Sequence, residues 1–470
     1  MRRLATLAAG MAAAGAAFPA AASAHGLVGR ADLPIPAWLF GWAAAVVLIV
    51  SFLALAVLWP RPRLEEPRSH RLVTLPRWVD PVCGLVGIAA FAVVLYSAWA
   101  GTALPTQNLA PTFVYVIFWV GFPTASALFG DVFRAFSPWR ALARAVAWSA
   151  ARVARGGALP EPLPYPDRLG RWPAAATILA FGWLELVFVN KSEPATIAAL
   201  AGAYALVQLI GMTVYGVEPW SERADGFGAL FGLFARLSPL CRRGRELRLR
   251  APLGGAPGLT VIPGTIALLC AAIGTTTFDG FSAGPIWNRL LPGFTRSIRH
   301  LGLGFTTATE LAATVGLLVC VALVSALYAA GVRGMRTVER RPGERDLGAR
   351  FVHSLIPIAL AYAVAHYFSL LTYQGQAMGY LVSDPLGHGA NLFGTHDATI
   401  DYAIISATGI WYVQVGALVL GHVAGLLLAH DRALVLYRDA RDAVRSQAWM
   451  LVVMVGFTSL GLWLLSSVNQ

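Results

Sequence analysis

The chain has 470 residues, 57% of them hydrophobic and 13% charged, with a formal net charge of +12. An ordinary soluble domain carries roughly 25% charged residues, so this composition leaves too little polar surface to cover a water-soluble fold of this length. Four widely spaced cysteines with no CxxC pair argue against a disulfide framework or a thiolate metal site.

The N-terminus reads as an export signal: Arg2 and Arg3, an apolar run over 4–17, and the small-residue pattern Ala22-Ser23-Ala24. Cleavage there makes His25 the first mature residue. An N-terminal His can chelate copper, but no nearby Met or His run supports that, and Ala-His-Gly also suits a plain cleavage site. Ten apolar stretches then approach the ~20 residues needed to cross the hydrocarbon core. They lie at 36–58, 80–100, 112–134, 173–190, 194–216, 259–275, 309–331, 351–373, 404–429 and 446–468, the sixth being short. The predicted architecture is an all-α polytopic membrane helix bundle, one transmembrane domain over 25–470 behind a signal peptide at 1–24.

Arginine placement gives the bundle a direction. Alternate loops 59–79, 134–171, 217–258, 332–350 and 430–445 hold five, seven, seven, six and four of the 36 Lys and Arg residues. The opposite loops hold Arg30, Lys191, Arg289, Arg296 and Arg299. This is the positive-inside pattern. It predicts a plasma-membrane protein with both mature termini extracytoplasmic and anionic lipid against the cytoplasmic face, and no nucleic-acid partner is needed to account for the charge. Within 134–155, arginines interleave with Phe136, Trp139, Leu142, Ala145 and Trp148, which predicts an interfacial amphipathic helix; 226–240 has a similar, less basic pattern. The two loops share an echo, Phe133-Arg134-Ala135-Phe136-Ser137-Pro138 and Phe234-Ala235-Arg236-Leu237-Ser238-Pro239, either a trace of duplication or a chance recurrence of Ser-Pro at a helix end.

Ionisable groups at membrane depth are costly, which makes each a candidate site residue. Glu185 is expected one turn from the outer end of the fourth span, Glu310 at the start of the seventh, and His366 in the outer half of the eighth. The outer loops add Asp279, His300, Asp384, His388, His396, Asp397 and Asp401. Imidazole with carboxylate suits zinc or another divalent transition metal. The candidate ligands are Asp279, His366, Glu185, His396 and Asp397, and the first three are also the candidate catalytic groups. Plainer readings stand beside these: His366 bonded between packed helices, His388 and His396 as solvated loop residues, and His353, His422 and His430 as packing or boundary residues.

Polar stripes Tyr362, His366, Ser369, Tyr373 and Tyr204, Gln208, Gly211, Tyr215 each occupy one helical face and are expected to turn towards other helices or a wet cavity. Gln414, Gly421 and Gly425 share a face on the ninth span, where Gly421-xxx-Gly425 permits close helix approach. Walker A, HExxH, GxSxG and CxxCH motifs are absent from the sequence.

Several stretches carry a family resemblance. They are His25-Gly26-Leu27-Val28-Gly29-Arg30 with Leu33-Pro34-Ile35-Pro36, Leu128-Phe129-Gly130-Asp131-Val132-Phe133, Thr277-Phe278-Asp279-Gly280-Phe281 and His353-Ser354-Leu355-Ile356-Pro357. Ala365-His366-Tyr367-Phe368 with Gln374-Gly375-Gln376, and Ser383-Asp384-Pro385-Leu386-Gly387 with Asn391-Leu392-Phe393-Gly394-Thr395, complete the set. The chain resembles the bacterial multi-pass membrane proteins of the fenitrothion hydrolase group. It departs from the pattern at His388-Gly389-Ala390-Asn391, where a basic residue followed by Gly-Trp-Asp is expected. The resemblance implies hydrolysis of a phosphotriester, an apolar small-molecule substrate that partitions into bilayers, with a bound metal able to activate water. A transporter or channel for a metal ion or small solute, and a non-catalytic subunit that holds a membrane partner, are the alternatives from other classes.

Overall fold

Ten helices occupy the ten predicted spans. The computed structural model describes residues 37–65, 68–153, 161–338 and 346–467; the signal segment, His25 and Arg30 lie outside the described residues. In chain order the elements are α1 Ala37–Leu58, β1 Ser69–Thr74, α2 Val79–Ala100, α3 Leu109–Phe129, α4 Val132–Phe136, α5 Pro138–Val153 and α6 Trp172–Leu186. Then come α7 Pro194–Tyr215, α8 Val217–Arg223, α9 Gly226–Phe234, β2 Leu240–Arg243 and β3 Glu246–Arg250. The chain ends with α10 Thr265–Ser282, α11 Pro285–Arg299, α12 Phe305–Met335, α13 Leu347–Ser383, α14 Ala407–Leu436 and α15 Ala440–Ser467. Eight of these (α2, α3, α7, α10, α12, α13, α14 and α15) are long and apolar enough to cross a membrane. Of the remaining two spans, α1 has 22 residues and α6 has 15. The chain is a multi-pass membrane protein built as an all-α bundle.

The helices are not equivalent. In α10 and α13, 78% and 67% of the most apolar window is buried within the protein, against 28% in α2, α3 and α7. α10 can be so enclosed because its polar residues satisfy themselves. The hydroxyls of Thr275 and Thr276 both donate to Ala272 O at 3.1 Å, and that of Thr277 donates to Ile273 O at 2.8 Å. Burying a hydroxyl is costly only when it lacks a partner.

The same threonines lower the local hydropathy, which is why the sequence places the sixth span at 259–275. Pro263 and Gly264 (φ 82°) instead turn the chain ahead of Thr265, and the helix runs on to Ser282. Asp279 therefore stands inside the bundle, not in an outer loop as expected.

Two further differences concern surface helices. The segment 226–240 is expected at the interface, yet α9 is enclosed by the protein, with Phe227, Leu230, Phe231, Leu233 and Phe234 all buried. Its pattern lacks the charged face an interfacial helix needs. Conversely α11 arises in a stretch predicted as loop. Trp287 is its buried anchor, edge-on to Phe278 at 5.4 Å, while Arg289, Arg296 and Arg299 ride on the same short helix.

The arginine-rich loops gather at one end. β1 pairs antiparallel with β3, and β3 with β2, giving a three-stranded sheet of order β1-β3-β2 that ties loop 59–79 to loop 217–258. Glu218 of α8 meets Arg134, Arg140 and Arg144. Asp431, wholly buried on α14, accepts hydrogen bonds from Trp59 Nε1 (2.8 Å), Arg63 N (2.6 Å) and Leu64 N (3.0 Å). At the other end, Thr102 N donates to Leu386 O and Val189 N to Glu310 Oε1.

Of the two polar stripes expected to turn inward, Tyr362, His366, Ser369 and Tyr373 are buried, and in the other Gln208 and Gly211 are buried with Tyr204 and Tyr215 half-buried. Gln208 accepts a hydrogen bond from Trp220 Nε1 at 2.8 Å. A Cβ on Gly421 would lie 2.1 Å from Ala361 Cβ, and one on Gly425 2.8 Å from Ser354 O, so α13 and α14 touch backbone to backbone along this stripe. Gly421→Val should therefore cost about 1–3 kcal/mol by overpacking. Thermal unfolding in detergent should show a lowered midpoint; an unchanged midpoint would contradict the close approach.

Candidate functional site

The site is set by a contact between α6 and α10. A Cβ on Gly182 would fall 2.5 Å from Thr275 Cγ2, so only glycine lets these helices come so close. About one helical turn further on, α6 carries Glu185 and α10 carries Asp279. Both are buried, Asp279 completely. From α13, His366 brings Nε2 to 2.7 Å from Asp279 Oδ2. The next residue, Tyr367, places its hydroxyl in hydrogen-bonding contact with Asp279 and with Glu185. The four side chains come from three helices and form one connected polar cluster.

The wall of the cluster comes from an irregular helix. Phe113–Gly121 within α3 is a π-helix. This form is rare and is frequent at functional sites, because the wider turn re-aims side chains. Its Trp119 packs on Phe181 at 4.7 Å. Its Tyr115 donates to Lys191 O at 2.6 Å. Lys191, the single lysine of the sequence, lies in the turn between α6 and α7. Phe118, Phe227 and Phe231 pack edge to face beyond Trp119, filling the bundle towards the arginine-rich end.

Of the sequence-predicted residues, Asp279, His366 and Glu185 are brought together, while His396 and Asp397 lie in the loop after α13. Asp384 organises that loop, accepting from His388 N (3.1 Å) and Gly389 N (2.7 Å). Burial opposes its charge, but the Gly389, His388 and Ala390 amides hold its carboxyl below the usual range. His396 Nδ1 lies 4.0 Å from Asp384 Oδ2 and its side chain is 43% exposed. Glu310 bonds the Val189 amide at the rim.

The described residues contain no group of three or more His, Cys, Asp or Glu side chains that could hold a metal ion. In the buried cluster Asp279 Oδ2 lies 2.7 Å from His366 Nε2, while His396 and Asp397 of the predicted zinc-type set lie in the loop after α13. The plainer reading of His366 holds in part, since it is bonded between packed helices, though to a carboxylate. His422 Nδ1 and His430 Nε2 meet the carbonyls of Leu418 (2.8 Å) and Trp59 (3.1 Å), as packing residues do.

Sequence reasoning missed Tyr367, Trp119 and Tyr115 as site residues. Tyr367 stands beside His366 in Ala365-His366-Tyr367-Phe368, but off the stripe of His366, so helical periodicity set it aside. No family model matches the chain, and no curated protein or solved structure matches it either.

The Asp279–His366 contact predicts strong coupling. Removing one partner of a buried pair leaves the other unsatisfied, typically at about 3–5 kcal/mol. Asp279→Ala and His366→Ala should each lower stability markedly, and the double variant should lose less than their sum by about 1–3 kcal/mol. Denaturant unfolding of the four proteins in detergent measures that difference, and strict additivity would rule out the contact.

Proposed function

We propose that this protein is a membrane transporter whose cycle runs on protonation of the Glu185–Asp279–His366 site. One observation carries the reading: two buried carboxylates share a tyrosine hydroxyl inside the bundle, and one of them holds a histidine at 2.7 Å. Ionisable groups kept at such depth mark ion pathways and proton relays. Carboxylate, phenol and imidazole brought side by side offer a proton a path between Glu185 and His366. The irregular α3, whose π-helical Phe113–Gly121 stretch lines the site, suits a protein with a span interrupted near the site. With the arginine-rich end taken as cytoplasmic by the positive-inside rule, the site lies in the outer half of a plasma-membrane protein and exchanges protons with the extracytoplasmic side. Lys191 then stands at the entrance.

A second reading keeps the resemblance to the fenitrothion hydrolase group. The Asp279–His366 pair is also the arrangement of a general base held by an orienting carboxylate. In that role His366 would take a proton from a water whose oxygen bonds to the phosphorus of an apolar phosphotriester entering from the bilayer, while the bond from phosphorus to the departing phenoxide or alkoxide breaks.

Charge displacement separates the two. Protein vesicles adsorbed on a solid-supported membrane should give a transient current on a pH jump, because a proton entering the buried site crosses part of the dielectric. Asp279→Asn combined with Glu185→Gln should remove most of that current. A wild-type response no larger than that of empty vesicles would sink the transporter reading. Fenitrothion hydrolysis by the same preparation, lost in His366→Ala, would establish the second reading in its place.

A further inference from the structure

The arginine-rich end contains a cavity of about 170 Å³ that the acid–base site does not use. A single water needs only about 10–15 Å³ on this kind of measure, so the space admits something larger. Its wall is built from the two loops that share the Phe-x-x-x-Ser-Pro echo, and Phe133 packs edge-on against Phe231 where they meet, at 5.4 Å. Arg134, Arg140, Arg171 and Arg236 line it, together with Asp131, Asp225 and Glu222.

The acids are already committed. Asp225 accepts from Tyr204 Oη (2.7 Å), Phe227 N (3.1 Å) and Gly228 N (3.0 Å) with one oxygen, and from Trp139 Nε1 (2.7 Å) with the other. Glu222 pairs with Arg134 at 2.7 Å. Asp131 caps α4 through the Arg134 amide at 3.1 Å, and burial pushes its carboxyl up towards the neutral form.

Two of the arginines are not committed to carboxylates. Arg171 is 8% exposed and sits where the chain enters α6, pinned by its own amide to Pro263 O at 2.7 Å. Among the described residues its side chain donates only to neutral oxygens, Thr265 Oγ1 (2.9 Å) and Thr260 O (3.2 Å), and its buried Nε has no hydrogen-bond partner. Burial first and the neighbouring Arg236 next push its pKa down to about 10, with Glu222 opposing them. Arg236 likewise donates to a neutral oxygen, Gly255 O at 3.1 Å. Neither makes an ion pair among the described residues. Arg140 adds a second buried Nε with no partner. Buried charge is tolerated when paired, and a planar guanidinium matches phosphate oxygens with two donors at once.

We propose that this cavity binds the phosphate group of an anionic ligand between Arg171, Arg236 and Arg140. The same chemistry is offered by the headgroup of an anionic phospholipid and by free inorganic phosphate. Beside these arginines, Gly232 opens onto the cavity, where an added Cβ would meet only Asp131 Oδ2, at 3.7 Å. A larger side chain there would fill the cavity without removing a charge.

The test uses the full chain purified in a neutral detergent. Native mass spectrometry with phosphatidylglycerol, and with phosphatidylcholine as control, reads lipid retention; melting curves with added sodium phosphate, against sodium chloride at equal ionic strength, read the free anion. Binding by wild type should weaken at least about tenfold in Arg171→Gln and in Arg236→Gln, and also in Gly232→Leu, which keeps every arginine. Retention of phosphatidylglycerol alone identifies the lipid source, and saturable stabilisation by phosphate alone identifies the free anion. Unaltered affinity in a folded Gly232→Leu protein, or no binding of either probe to wild type, would overturn the proposal.

Discussion

Gly182 and Thr275 meet with no room for a Cβ between them, and much of the structure follows from that approach. It draws α6 against α10 near the ends of both helices, where each carries an acid. Separated by a larger side chain, Glu185 and Asp279 would face different neighbours, and the Tyr367 hydroxyl could not serve both. The approach also needs α10 to be buried nearly all round. A helix with three consecutive threonines can be, because each hydroxyl bonds back to its own backbone and asks nothing of its surroundings. Close packing through small residues, not hydrophobic exclusion, drives helix association in lipid, and here it also determines where the ionisable groups stand.

The two ends of the bundle handle charge differently. At the arginine-rich end acids act as staples: Glu218 gathers three arginines, Asp431 clasps the 59–64 turn, and Asp225 closes a ring of four donors around the start of α9. These are structural carboxylates with their hydrogen-bonding capacity spent. At the other end Glu185, Asp279, His366 and Tyr367 are gathered against one another inside the bundle, with no loop for them to fix. The aromatic packing of Trp119, Phe227 and Phe231 separates the two regions with side chains that carry no titratable group.

The spans were legible because a helix crossing hydrocarbon must satisfy its backbone internally and show apolar side chains outward, a property of local composition. The grouping of arginine loops at one end was legible for the same reason: alternation along the chain is local. So were the inward faces carrying Tyr362, His366 and Gln208, since helical periodicity fixes which residues share a side. Errors came where composition misleads. Thr275–Thr277 read as the close of a span although their hydroxyls are internally bonded, and Gly226–Phe234 read as an interfacial helix although it has nothing polar to show to water.

By itself, then, the sequence determined an all-α multi-pass membrane protein with about ten spans and a shortlist of costly ionisable residues, because hydropathy and charge are summed along a chain. Only the tertiary structure decided which of that shortlist meet. Asp279 sits 94 positions from Glu185 and 87 from His366 in the numbering, and no local pattern encodes a contact of that range. It was the packing of α6, α10 and α13, set by a glycine against a threonine, that joined these three with Tyr367. The same packing left His396 and Asp397 in a loop with different partners, since a side chain's chemistry depends on what the fold brings within hydrogen-bond reach.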